Sequence, residues 1–182
     1  MAQWTLNAGH YMRPYRSLKA SPTIRHFVCS TAVSTTRITV GMPVTSDTLV
    51  TTSAFRAVRP KIASSNSQME IGITSLLGIA GDSDTKAVST AVGATIPVYV
   101  ADGQTEWLGW CYGAGVVAST MIGQTKGVIW DSTLKMFFVD STNSTAAMHA
   151  VTITDVPDYA IGSTNGPVIF RFLSSLASPV IK

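Results

Sequence analysis

Two carboxylates nine residues apart, Asp131 and Asp140, bracket the aromatic run of "WDSTLKMFFVD" and are followed by the hydroxyls of "STNST". A carboxyl pair is the machinery of glycoside hydrolysis, where the two groups face one substrate across roughly 5 to 10 Å. The residues between them argue for something else. Val128 and Trp130 alternate on one strand; Leu134, Met136 and Phe138 then line one face of a second, with Phe137 and Val139 on its other face. In such a hairpin Asp131 begins the turn "DSTL" and Asp140 opens the loop after it, each carboxylate accepting turn amides. The two acids then sit at opposite ends of one strand, and nine positions of straight strand span about 30 Å. They read as the polar ends of a β-hairpin rather than an acid/base pair.

Other catalytic arrangements fare no better. There is no G-x-S-x-G elbow, and the histidines are His10, His26 and His149. Cys111, in "GWCYG", has no base nearby in sequence; a spatial pairing with His149 is open, but a buried cysteine acting as a small apolar filler is the commoner case. "GDSDT" alternates Asp82 and Asp84 as calcium loops do, yet lacks the remaining ligands. "GWCYGAGVVAS" lacks the third glycine and the Lys-Ser/Thr ending of a phosphate cradle. Cys29 and Cys111 are too few for a disulfide framework or a cysteine metal site and read as reduced, buried thiols made in a cytoplasm. Asn143-Ser144-Thr145 matches a glycosylation acceptor, but the first thirty residues hold no signal-peptide core to deliver it. The expectation is a non-enzyme without cofactor or metal.

The elements that carry these residues are short and β-prone. The chain has 182 residues, enough for one ordinary core. Only 13% are charged, while 20 Ser and 23 Thr supply most of the polarity, a composition suited to pleated surfaces. Ile38 and Val40 alternate before Gly41 and Pro43, predicting a strand followed by a bend; residues 47–60 read as another strand. "MEIGITSLLGIAG" permits a strand pair or a short buried helix, and "GDSDTKAVSTAVGA" a turn or short helix. Ile96, Val98 and Val100 share a strand face, with Asp102-Gly103 as a hairpin turn behind them and Pro97 implying an edge or irregular strand. "HAVTITDV" and "GPVIFRFL" are two more strands, the latter alternating Val168, Phe170 and Phe172. Six to ten short strands with frequent turns predict a mainly β small barrel or sandwich with at most one or two short helices. No fixed repeat is visible, and nothing approaches a membrane-spanning apolar run.

Charge divides the chain. Residues 1–61 hold eight Lys and Arg against Asp47 alone, a net +7, and residues 62–182 hold five bases against nine acids, a net −4. Residues 1–30 combine four of those bases with Trp4, Tyr11, Tyr15 and Phe27, and disordered tails are poor in aromatics. The reading is an extended basic and aromatic arm, 1–30, on a β-rich domain, 31–182. Two dispositions are open: an arm lying on another surface, with Trp4, Tyr11, Arg13, Tyr15, Arg16, Lys19 and Arg25 as contacts, or an arm folded back on its own body.

The order "GATIPVYVADGQ", "IGQTKGVIWDSTLKMFFVDSTNS", "AIGSTNGPVIFRFL" resembles the capsid decoration, or cement, proteins of tailed bacteriophages. The matching positions are Gly93 with Val98 and Val100, Gly127 through Asp131, and Ala160-Ile161-Gly162 leading into Val168–Phe172; Gly41-Met42-Pro43-Val44 is an earlier correspondence. The resemblance covers about residues 38–173 and leaves the arm outside it. It implies a non-enzymatic virion protein, made in the host cytoplasm. It would bind the major capsid protein on the capsid exterior, as trimers with other copies of itself, and touch neither nucleic acid nor membrane. The alternative is an adhesion module binding host glycans, for which Trp107 and Trp110 in "TEWLGW" would have to be exposed.

Overall fold

The computed structural model describes residues 10–18, 21–29, 38, 40–46, 57–60, 76–81, 95–113, 115–131, 133–134, 136–142 and 149–173. They form eleven strands: β1 (Arg13–Ser17), β2 (Ile24–Cys29), β3 (Pro43–Ser46), β4 (Ala57–Pro60), β5 (Leu76–Ala80), β6 (Thr95–Val100), β7 (Thr105–Tyr112), β8 (Thr125–Asp131), β9 (Met136–Asp140), β10 (Val151–Asp155) and β11 (Pro167–Phe172). Two single-turn 3-10 segments, Ser119–Met121 and Asp158–Ala160, are the helical structure among the described residues. The mainly β reading with a small barrel holds.

There are two barrels. Strands β2-β4-β3-β5-β6 close into one. The pairings β7–β11, β11–β10, β10–β8, β8–β9 and β9–β7 close the second, with β1 added beside the first half of β7. The connectivity of the two is the same. In each, the first strand runs parallel to the third and antiparallel to the fifth; the second pairs with the third and the fourth, and the fourth with the fifth. A five-strand unit is thus repeated, although no period is visible in the chain. The register supplies the one local echo: Pro97 lies opposite His26 in the first barrel, Pro167 opposite Trp110 in the second, and each proline is followed by a fully buried valine, Val98 and Val168.

Strand periodicity builds the cores. Val168, Phe170 and Phe172 of β11 point inward with Trp107 and Cys111 of β7 and Phe137 and Val139 of β9; Phe27, Val44, Ile79, Ile96 and Val98 fill the first barrel, and one apolar cluster runs through both. On the outer face of the second barrel Leu108, Trp110, Met136, Phe138 and Ile169 form another cluster. Strand β9 is therefore buried on both faces, as its run of four apolar residues, Met136 to Val139, requires.

Four local expectations change. Asp102-Gly103 does make a tight turn: Gly103 has φ +71°, and the Asp102 carboxylate accepts the amides of Gln104 and Thr105 at 3.0 and 3.1 Å. The strands it joins do not form a hairpin, however, because β6 pairs with β2 and β5 while β7 pairs with β1, β11 and β9. A turn residue sets the reversal, and the pattern of buried side chains chooses the partner. Pro97 sits in a strand with neighbours on both sides. The ladder explains this: Pro97 uses only its carbonyl towards the β5 side, accepting the Gly81 amide at 2.8 Å, so its missing N–H interrupts no β2–β6 bond. Ile38 is buried but lies outside any strand; Val40-Gly41 is a turn, with φ +77° at Gly41, and the strand begins after it at Pro43. Finally, β1 and β2, inside the segment read as an arm, are paired within this chain, which is the second of the two dispositions left open. The boundary at residue 30 falls just past the end of a barrel strand, β2.

Candidate docking surface

The predicted hairpin accounts for both carboxylates. Strands β8 and β9 pair from Gly127↔Asp140 to Asp131↔Met136. Asp131 Oδ1 accepts the amides of Thr133 and Leu134 at 2.8 and 2.7 Å, and Asp140 Oδ1 accepts the Thr142 amide and hydroxyl at 3.0 and 2.8 Å. Asp140 lies opposite Gly127, four strand positions from Asp131, or about 13 Å. That is beyond the reach of a carboxyl pair acting on one bond. Replacing Asp131 with alanine should cost about 1 kcal/mol by freeing two turn amides, read as a small fall in the urea midpoint.

Cys111 is fully buried, and burial pushes its thiol up to about 12, with nearby Lys126 pulling the other way and Asp140 adding to the rise. His149 Nδ1 shares a 2.6 Å hydrogen bond with the Thr125 hydroxyl. The thiol is a core filler and is protonated at neutral pH, so native protein at pH 8 should resist iodoacetamide at Cys111 until denaturant is added, as mass spectrometry would read. Among the described residues no group of three or more His, Cys, Asp or Glu is placed to hold a metal. Asp82, Asp84 and the Asn143 acceptor lie outside the described residues.

Of the predicted contact residues, Trp4 and Lys19 also lie outside the described set. The others lie on β1, just before it, or on β2. Tyr11 packs on the outer apolar cluster of the second barrel; the His10 ring lies 4.7 Å from that of Trp110, and the Arg13 guanidinium sits 5.8 Å over the same indole. Tyr15 is half exposed, with the Arg16 guanidinium 5.8 Å from its ring. Arg25 is exposed on β2. Beside them opens a crevice of about 430 Å³, lined by Tyr11, Arg13, Pro22, Ile24, Val40 and Tyr99 among others, where β1 meets the first barrel.

Sequence reasoning missed the charged centre of this region, Glu106. It is buried, and its carboxylate takes the Arg16 guanidinium on one oxygen and Arg171 Nη2 on the other at 3.0 Å. Burial pushes its carboxyl up, but the hydrogen bond from Arg16 and the charges of Arg16 and Arg171 outweigh this and hold it below the usual 4.5. The ion pair with Arg16 ties β1 to β7, and that with Arg171 ties β7 to β11. The only signal in sequence was an acid inside an apolar strand, "TEWLGWCY". A carboxylate whose folded pKa is depressed stabilises the fold above its unfolded pKa and loses that contribution as pH falls through the folded value. The urea midpoint should therefore drop on acidification below pH 4.5. Glu106→Gln should flatten that segment of the profile.

Trp107 and Trp110 are 1% and 6% exposed. Sugar stacking needs an open ring face, so neither supplies the glycan platform that the adhesion reading required. No described helix is long and apolar enough to cross a membrane. No protein-family model, no curated protein and no solved structure matches the chain.

Proposed function

We propose that this protein is a structural virion component that decorates and cements the exterior of a tailed-phage capsid, using the β1–β2 face as its contact surface. One observation carries the reading: the exposed cationic and apolar side chains Arg13, Tyr15, Ile24 and Arg25 project from strands already paired within the chain. A surface fixed before contact loses little conformational entropy on binding, and many copies on a symmetric lattice add up weak contacts. The resemblance in strand and turn residues supports the same reading and spans both barrels, from β6 through β8 to β11. Trimers of the protein on the major capsid protein are the expected arrangement.

Deleting residues 1–30 would remove a barrel strand, so the test is made with substitutions on the intact fold. Arg13→Glu with Arg25→Glu should reduce occupancy on purified heads at least about tenfold in a sedimentation assay, since each reversed charge alters the contact by about 1 kcal/mol or more. Unchanged occupancy by a folded double variant would sink the proposal.

A further inference from the structure

The large apolar side chains that stay exposed among the described residues fall into two groups. Tyr15, Leu18 and Ile24 lie on or between β1 and β2, in the company of Arg13, Arg16 and Arg25. Val116, Ile122, Tyr159 and Ile161 lie on two loops of the second barrel, residues 115–124 and 156–166. Both loops leave the barrel at the same end, because β7 finishes where β11 begins, with Trp110 opposite Pro167. The β1–β2 contact face does not include them.

Local structure fixes these side chains outward. Each has a buried chain neighbour: Val117 beside Val116, Met121 beside Ile122, and Ala160 between Tyr159 and Ile161. Hydrogen bonds then tie the loops to one another and to the barrel. Val117 donates its amide to the Ser163 carbonyl at 2.9 Å and accepts the Gly162 amide at 2.8 Å, while Gly123 donates to the Ile153 carbonyl at 2.8 Å. A single-turn 3-10 segment stiffens each loop. A surface held in this way loses little conformational freedom on contact.

The two loops contain one charged side chain, Asp158. At 46% to 68% exposure the four apolar residues present roughly 400 Å², within the range at which an exposed patch marks an interaction site. Interface cores have this composition, apolar and aromatic with charge depleted. We infer that this end of the second barrel is a contact between copies of the chain, each presenting the same two loops to the next. Charge selects the occupant. A like patch brings Asp158 as the one repelled group, whereas a charged partner surface would be desolvated against Val116, Ile122 and Ile161 without compensation. The other exposed group is unsuited to facing itself, since its three arginines would meet three arginines. Two ends bring together roughly 800 Å², below the standard interface size, so the association is weak and reversible. It is independent of the capsid reading, and it is the surface by which the trimers expected on a capsid would join.

Sedimentation equilibrium of the full chain tests this without a capsid. Between micromolar and millimolar concentration the average mass should rise above that of one chain, and the amide chemical shifts of residues 115–124 and 156–166 should move with it. Ile122→Lys with Ile161→Lys places two like charges on each copy at exposed positions and should weaken the association by at least about tenfold, with an unchanged urea midpoint showing that the variant is folded. Ile161→Ser, which removes apolar contact without adding charge, should weaken it less. Arg13→Glu with Arg25→Glu should leave the association intact, which separates this contact from the capsid face. A chain that stays monomeric at millimolar concentration would leave the patch to a foreign partner and overturn the inference. Undiminished association in both loop variants, loss of association in the arginine variant, or shift changes confined to β1 and β2 would overturn it as well.

Discussion

Trp107→Ala is expected to lower the free energy of unfolding by about 3 to 5 kcal/mol, measured by urea titration. The ring is 1% exposed at the centre of the second barrel and meets Phe172 edge-on at 5.7 Å, with Phe170 and Phe172 in turn at 5.4 Å. Its strand, β7, pairs with three others among the described strands, β1, β9 and β11, so a void there faces several strands at once. Collapse is limited because Gly109, the next inward position, already has the Phe170 ring against it: a Cβ built there would lie 2.8 Å from Cε1. Trp107→Phe keeps most of the contact and should cost less than half as much. A loss below 1 kcal/mol would mean that the indole is not packed as described.

The second large effect lies in the first barrel. Gly78 of β5 faces β6 so closely that an added Cβ would stand 2.1 Å from the Tyr99 carbonyl oxygen and 2.8 Å from Val98 Cγ1. The first of these neighbours is backbone and cannot rotate away. Gly78→Ala must therefore spread β5 from β6, at a cost of about 3 kcal/mol. Because one buried cluster runs through both barrels, the two substitutions should move a single cooperative transition. Two separate transitions, one shifted by each substitution, would show that the barrels fold independently and that their shared cluster couples them only weakly.

The amino-acid order alone determined the β class, the hairpin of β8 and β9, and the duty of Asp131 and Asp140. These rest on local physics: alternation of apolar residues at period two, and carboxylates capping turn amides within three positions. It also sorted the residues of β6, β9 and β11 onto their strand faces. Tertiary structure decided the rest. That "ATIPVYV" and "TEWLGWCY" belong to different barrels is a choice among long-range pairings, and their common turn is compatible with either outcome. The duplication stayed hidden because a strand order is specified by which faces are apolar, and many side chains meet that demand; only Pro97-Val98 and Pro167-Val168 echo it. Glu106 went unremarked in the sequence because its partners, Arg16 and Arg171, lie 90 and 65 residues away and only the fold brings them against it. The basic, aromatic N-terminal segment was recognisable as something that docks. Its docking site for residues 13–17 is this chain's own β7, because that strand's outward amides and its buried carboxylate were there to be met.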